Sequence, residues 1–256
     1  MASGDPIIRV RGLVTRFGTN TIHDRLDLDI KRGEIMALVG GSGSGKSVLL
    51  RTLIGLKKQE GGSVEIFGRD MDKLDEDERR AVQERWGVLF QNGAQFRARS
   101  VAQNVRVPFM EHTRLSSKLV GDLIRLKIRM VGLPPEAGAK YASELSGGMI
   151  KRAALARALA LDPEIVFLDE PTAGLDPISA AAFDQLIDDL QKSLNLTVVI
   201  VTHDLDTLNA ITHRIAVLVD KKIIVGTLQE LMQLDHPWIR SYFHGPRGRA
   251  AFIKDR

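Results

Sequence analysis

The 256 residues include no cysteine. That excludes a disulfide scaffold, thiolate metal ligation and thiol catalysis, and it fits a reducing compartment. No run of ~18 apolar residues is present, so the sequence offers no membrane-spanning helix of its own. The opening stretch MASGDPIIRVRG also lacks the apolar core of a secretory signal. A large excess of one charge is missing as well: 36 Lys and Arg stand against 32 Asp and Glu, a net +4. That balance reads as a solvated surface and gives no reason to expect nucleic acid as a partner. There is no internal repeat and no low-complexity block. The expectation is therefore a soluble cytoplasmic protein. With 44 % hydrophobic residues it has enough apolar material for a sizeable core.

Three short apolar runs organise the chain. Residues 34–39 (EIMALV) lead into GGSGSGKS, residues 164–168 (EIVFL) lead into Asp169-Glu170, and residues 196–201 (LTVVIV) lead into Thr202-His203-Asp204. Each run is continuous and rich in β-branched residues, as in parallel strands buried on both faces. Each ends abruptly in polar residues, and open α/β sheets bind ligands at the carboxyl ends of their strands. Residues 7–14 and 21–30 instead alternate, with Ile22, Leu26, Leu28 and Ile30 on one face. Together with residues 64–67 they predict antiparallel strands. Residues 100–144 predict helices, one of them carrying Leu119, Leu123, Ile124, Leu126 and Met130 and stopped by Pro134-Pro135. Helices are also expected over 180–190 and 228–234, and a loose tail over 244–256.

Gly40-Gly41-Ser42-Gly43-Ser44-Gly45-Lys46-Ser47 fits G-x-x-x-x-G-K-[ST] between a strand and a helix. The glycines let successive backbone N–H groups converge on a phosphate, and the following helix adds its positive end. Lys46 is expected on the β- and γ-phosphates and Ser47 on Mg²⁺. Asp169, at the end of an apolar strand, is the matching Mg²⁺ carboxylate, and Glu170 is placed to polarise an attacking water. Together they predict a P-loop nucleoside triphosphatase using ATP and Mg²⁺.

Leu145-Ser146-Gly147-Gly148-Met149, followed by the helical stretch IKRAALARALAL, lies 24 positions ahead of Asp169. Here the sequence resembles the ATP-binding cassette (ABC) ATPases, whose signature is LSGGQ. Ser146, Gly147 and Gly148 at a helix start make a second anion site. In the family, the signature of one subunit covers the γ-phosphate on another, so the resemblance implies a head-to-tail dimer of this chain with itself. Phe17 corresponds to the aromatic that stacks on adenine, although core packing is an alternative for it. Gln91 resembles the glutamine that senses Mg²⁺ and the water, and His203 the histidine at the γ-phosphate. Asp176, in Ala173-Gly174-Leu175-Asp176, resembles the loop linking the two sites. His213, His236 and His244 have no motif behind them and are read as structural or exposed.

The implied architecture is α/β: a parallel-sheet core, an antiparallel β subdomain and an α-helical subdomain inserted at about 95–160. The cassette spans 7–230, followed by a C-terminal tail over 236–256 that is either frayed or a contact to a dimer mate, another partner or lipid headgroups. Only 99 positions separate Lys46 from Leu145, too few for the long coiled coil of repair-type relatives.

FQNGAQFRARSVAQNVRVPFMEHT, over 90–113, together with the Met149 signature and residues 220–224, resembles cassettes of the Mla phospholipid system that serve MCE-domain complexes. That resemblance implies permease subunits, an MCE-domain protein, a STAS-domain protein, and phospholipid as cargo between inner and outer membranes, with this chain peripheral on the cytoplasmic side. Phe96, Val101, Val105 and Phe109 are then either a permease-docking groove or ordinary subdomain core. A cassette for lipoprotein release or solute import, or a non-transport regulatory ATPase, stays open.

Overall fold

The computed structural model describes residues 5–91 and 98–245. The chain divides into two compact units, Met1–Val82 with Thr197–Arg256, and Gln83–Leu196. The first stretch comprises β1 (Pro6–Phe17), β2 (Asn20–Lys31), β3 (Ile35–Gly40), α1 (Lys46–Leu53), β4 (Gly61–Ile66), β5 (Arg69–Asp70) and α2 (Glu76–Gln83). The second unit carries β6 (Trp86–Leu89), α3 (Val101–His112), α4 (Ser117–Met130), α5 (Gly147–Ala158), β7 (Ile165–Asp169) and α6 (Pro177–Leu194). The chain then returns through β8 (Thr197–Val201), α7 (Leu205–Ile211), β9 (Arg214–Val219), β10 (Lys222–Gly226), α8 (Leu228–Met232) and α9 (Pro237–His244).

In the first unit, β2-β1-β4-β5 form the expected antiparallel sheet. The alternation of β2 holds for Leu26, Leu28 and Ile30, all buried. It fails at Ile22, which is half-buried while His23 is fully buried. The reason is local: Arg25 takes φ +53° and the pairing with β1 shifts between Leu13 and Thr15. One irregular residue exchanges the two faces of a strand. β3 lies parallel to β8 on one side and to β9 on the other, and every residue of β3 short of Gly40 is buried, as is the whole of β8. Two-sided burial is what the unbroken apolar runs predicted. β10 closes a hairpin on β9 through Asp220 and Lys221, both at positive φ (+50° and +61°), the conformation that matches strand twist in two-residue turns. The Arg214 guanidinium meets Glu34 at 2.7 and 2.9 Å and the Asp29 carbonyl at 2.7 Å. That ties β9 to β2 and to the entry of β3.

In the second unit, β6 and β7 pair in parallel. α3 opens with a capping box, Ser100 with Gln103. α4 buries Val120, Ile124 and Ile128, the i, i+4, i+8 row, while Leu119 and Leu126 face solvent. Lys127 is also buried there, its ammonium on the Asp162 carboxylate. α4 ends at Met130, before the expected Pro134-Pro135 stop, because Gly132 at φ +70° terminates it. Val101, Val105 and Phe109 are buried. Of the two readings offered for them, core is correct; Phe96 lies outside the described residues.

Candidate functional site

The phosphate loop leaves β3 at Gly40 and enters α1 at Lys46. Its geometry explains its glycines. Gly43 and Gly45 take φ +77° and +101°, which a side chain strongly disfavours. A Cβ on Gly45 would also lie 2.5 Å from His23 Nε2 and 2.6 Å from Ile22 Cγ2. A Cβ on Gly40 would lie 2.5 Å from Ser44 Oγ and 2.6 Å from the Leu218 carbonyl. Gly45 caps α1 with no side-chain hydrogen bond, and no acid occupies the first turn. The helix therefore presents backbone donors that its own chain does not cap with a side chain. Ser44 Oγ is buried without a hydrogen-bond partner among the described residues. Lys46 Nζ donates to the Gly40 and Gly41 carbonyls at 2.7 and 3.0 Å, which holds the ammonium over the loop. Uncapped backbone donors, a buried hydroxyl and a cation on one loop make an anion site.

Beneath the loop, His23 Nδ1 shares a 2.8 Å hydrogen bond with Thr15 Oγ1. Burial pushes the imidazole pKa down to about 4; contact with the Gly45 backbone opposes this but is the smaller effect. His23 is thus neutral near pH 7. Phe17, at the end of β1, is 56 % exposed, which removes the core-packing alternative. Lys57 Nζ stands 5.2 Å from its ring centroid. β8 pairs Val201 with Leu38 of β3, so His203 follows on the strand exit next to that of the loop. His203 is exposed, and its carbonyl accepts a 3.2 Å hydrogen bond from the Tyr242 hydroxyl.

In the second unit, β6 and β7 end side by side with Leu89 opposite Leu168, so Gln91 and Asp169-Glu170 leave the same sheet edge. Asp169 is 7 % exposed. Glu170 takes φ +49°, a left-handed conformation that costs a non-glycine residue ~1–2 kcal/mol. Lys151 of α5 bridges the two exits: its ammonium donates to the Gln91 carbonyl at 2.9 Å and to the Glu170 carbonyl at 3.2 Å. Burial lowers the Lys151 pKa, with Glu170 and Asp169 opposing. Sequence reading passed over Lys151. The signal for it was its place on α5, one turn from Gly147 and on the face that carries buried Ala154 and Leu155.

Ser146 caps α5, accepting from the Met149 N–H at 3.4 Å. Because the Met149 contact is through its backbone, the cap does not depend on glutamine there. Gly147 and Gly148 are not at positive φ, and a Cβ on them would meet Leu175 Cδ2 at 3.5 Å and Ser179 Cβ at 3.9 Å, ordinary distances. Nothing in their own chain requires glycine. Asp176 caps α6, accepting from Ile178 and Ser179 N–H at 3.1 and 3.0 Å, and hydrogen bonding to Ser179 lowers its pKa. The signature and the Asp176 loop are thus neighbours within the second unit. His213 accepts from Ile35 N–H at 2.9 Å, His236 lies 3.4 Å from Asp220, and His244 is bonded to the Met232 carbonyl at 2.8 Å; His213 and His244 are exposed and His236 is half-buried.

Of the two readings of the tail, frayed or a contact, the first fails over its beginning. Pro237–His244 is a helix whose Ile239 and Phe243 are fully buried, so this part is not frayed. Residues 246–256, including Phe252, lie outside the described residues.

Comparison with known proteins agrees with this geometry. The ABC transporter family profile matches residues 23–173. The intermembrane phospholipid transport ATP-binding protein MlaF of Haemophilus influenzae is 41 % identical over 89 % of this chain and 86 % of its own. MlaF of Escherichia coli K12 is 36 % identical over 93 % and 89 %. The probable ribonucleotide transport ATP-binding protein mkl of Mycobacterium leprae is 39 % identical over 94 % and 69 %. Among solved structures, the dimeric ABC cassette MJ0796 matches with a TM-score of 0.78 at 29 % identity, covering 86 % of this chain and 98 % of its own. CbiO1 of Clostridium perfringens matches with a TM-score of 0.81 at 29 % identity, covering 90 % and 91 %. Phosphate loop, signature and strand-end carboxylates, in that order and on that fold, make this chain a member of the ABC transporter ATPase family.

Proposed function

We propose that this chain is the ATP-hydrolysing subunit of a transporter that moves phospholipid between inner and outer membranes. The observation that carries this is the match to the two MlaF proteins, at 36–41 % identity along nearly the full length of both partners. The mycobacterial relatives named for ribonucleotide transport are longer than the match, which spans 67–69 % of them. Their names support solute transport as the second reading.

In the proposed reaction, the 40–45 backbone and Lys46 hold the phosphates of ATP and Phe17 stacks on adenine. Glu170 takes the proton of the attacking water, with Gln91 and His203 orienting water and γ-phosphate. Among the described residues no cluster of three His, Cys, Asp or Glu forms a cation cage. Ser47 in the first unit, and Gln91 and Asp169 in the second, each carry an oxygen donor of the hard kind that would hold Mg²⁺ arriving with a triphosphate. The ion would neutralise charge on the β- and γ-phosphates.

Gly147 and Gly148, which their own chain leaves unexplained, support a partner nucleotide approaching the signature backbone in a head-to-tail dimer, the state in which MJ0796 was solved. No helix among the described residues is long and apolar enough to cross a membrane. The proposal therefore seats the chain peripherally, on the cytoplasmic face, against permease subunits. A cleft in the second unit lined by Trp86, Phe90, Pro108, His112, Arg157 and Leu161, with Met110 exposed on α3, is the proposed permease-docking surface.

The test is to isolate the assembled complex from membranes through this chain. Phospholipid, an MCE-domain protein and a STAS-domain protein are expected to co-purify. A periplasmic solute receptor without bound lipid would transfer the chain to the second reading.

A further inference from the structure

α9 follows the cassette proper and is anchored without help from its exposed side: Ile239 and Phe243, four apart, are fully buried. Trp238 and Tyr242 form a second i, i+4 pair on the same helix, their rings stacked with centroids 4.8 Å apart and planes 15° apart. Both are half-buried. Their polar ends go to two functional segments. The indole Nε1 of Trp238 lies 3.3 Å, and its Cε2 4.0 Å, from where a Cβ on Gly41 would stand. The Tyr242 hydroxyl donates to the His203 carbonyl at 3.2 Å. Gly41 is not among the residues at positive φ, so backbone conformation does not demand glycine there. The indole is the neighbour a side chain there would press against, at a tight 3.3 Å.

We propose that the Trp238–Tyr242 stack is a positioning strut for ATP hydrolysis: it braces the first turn of the phosphate loop against the backbone of His203, and nucleotide binding is transmitted through it into α9. This rests on the ATPase reading above. β3 and β8 are adjacent parallel strands paired as far as Leu38 and Val201, and β9 holds β3 on to Gly40. Beyond those points each loop is held by its own contacts, and the aromatic pair is a contact that touches both. A stacked pair of planar rings with few rotatable bonds is a stiff spacer. Two consequences differ. Loss of the indole loosens the loop that grips the phosphates in ground and transition states alike, which raises KM. Loss of the phenol hydroxyl alone leaves the stack but frees the His203 backbone, whose side chain is proposed to meet the γ-phosphate, which lowers kcat.

The experiment uses the full-length chain with MgATP and MgADP. Tyr242→Phe keeps ring and stack and is expected to reduce kcat about three- to tenfold, the worth of one hydrogen bond, with KM and melting temperature unchanged. Trp238→Ala is expected to raise the KM for ATP by a similar factor, and Trp238→Phe to restore most of it. The chain has two tryptophans, so Trp86→Phe leaves Trp238 as the sole emitter, and its emission is expected to shift on MgATP binding. Wild-type kcat and KM in both Tyr242→Phe and Trp238→Ala, or a Trp238 emission indifferent to MgATP that the same protein demonstrably binds, overturns the strut alone. A wild-type chain that neither binds nor hydrolyses MgATP overturns the ATPase reading beneath it.

Discussion

Two glycine-rich stretches each open a helix in this molecule, and they are built on opposite principles. At the phosphate loop the chain's own conformation requires the glycines: Gly43 and Gly45 sit at positive φ, and a side chain on Gly40 or Gly45 would collide with neighbours. The helix behind it has no side-chain cap. At the signature, Ser146 caps the helix conventionally, and Gly147 and Gly148 have ordinary dihedrals and room for a methyl group. The first stretch is glycine for internal reasons; for the second the chain itself supplies none, which the proposed head-to-tail dimer would account for. One sequence composition therefore encodes a pre-formed anion cradle in one place and an open backbone surface in the other.

The largest expected effect tests whether the two stretches meet one nucleotide. Glu170→Gln should slow turnover by about 10²- to 10⁴-fold, the usual worth of a general base, and accumulate an ATP-bound dimer visible by size-exclusion chromatography. Adding Gly147→Val to that variant should abolish the dimer while the monomer keeps its affinity for ATP; a matching loss of monomer affinity would erase the distinction between the two stretches. Next in size is Gly45→Ala, which combines left-handed strain with a clash on His23. It should cost about 2–5 kcal/mol in urea unfolding, and a neutral result would mean the loop re-forms around a methyl group.

The buried support of the phosphate loop gives a pH signature through His23. His23 has a folded-state pKa of about 4, below the ~6.5 of an unfolded histidine. The unfolded chain thus binds the proton first. The stability contribution is complete above ~6.5 and is lost as pH falls toward 4, on the order of 3 kcal/mol. Urea titrations across that window should show the loss in the wild type and a flatter profile in His23→Gln; parallel profiles would remove His23 as the cause. Smallest of all is Gly147→Ala taken alone. It should change the melting free energy by under about 1 kcal/mol, and in the stabilising direction, because alanine is the better helix former. ATPase activity should nonetheless fall. Destabilisation instead would mean that packing within the chain, and not a ligand, selects that glycine.

Much of this was legible beforehand, for identifiable reasons. The three continuous apolar runs became β3, β7 and β8, because burial on both faces leaves no polar position to interrupt them. The phosphate loop, strand-end acids and signature were legible because the residues of each are contiguous in the chain. His23 was not, since the β2 alternation put Ile22 inward and only the Arg25 irregularity reverses it. Val101, Val105 and Phe109 offered two readings that hydrophobicity cannot separate; their burial did. The helix over Pro237–His244 went unread behind a proline, three aromatics and a following glycine that together resemble a loose end.

The sequence alone determined the order and identity of the chemistry-bearing motifs, because residues adjacent in the chain make a phosphate cradle or a capped turn without outside help. Only the tertiary structure decided which residues from distant segments serve those motifs. Lys151 binds the Gln91 and Glu170 carbonyls, 60 and 19 positions away, and Tyr242 binds the His203 carbonyl, 39 positions away. Such hydrogen bonds to backbone carbonyls carry no sequence signature at the acceptor, since every residue presents the same oxygen.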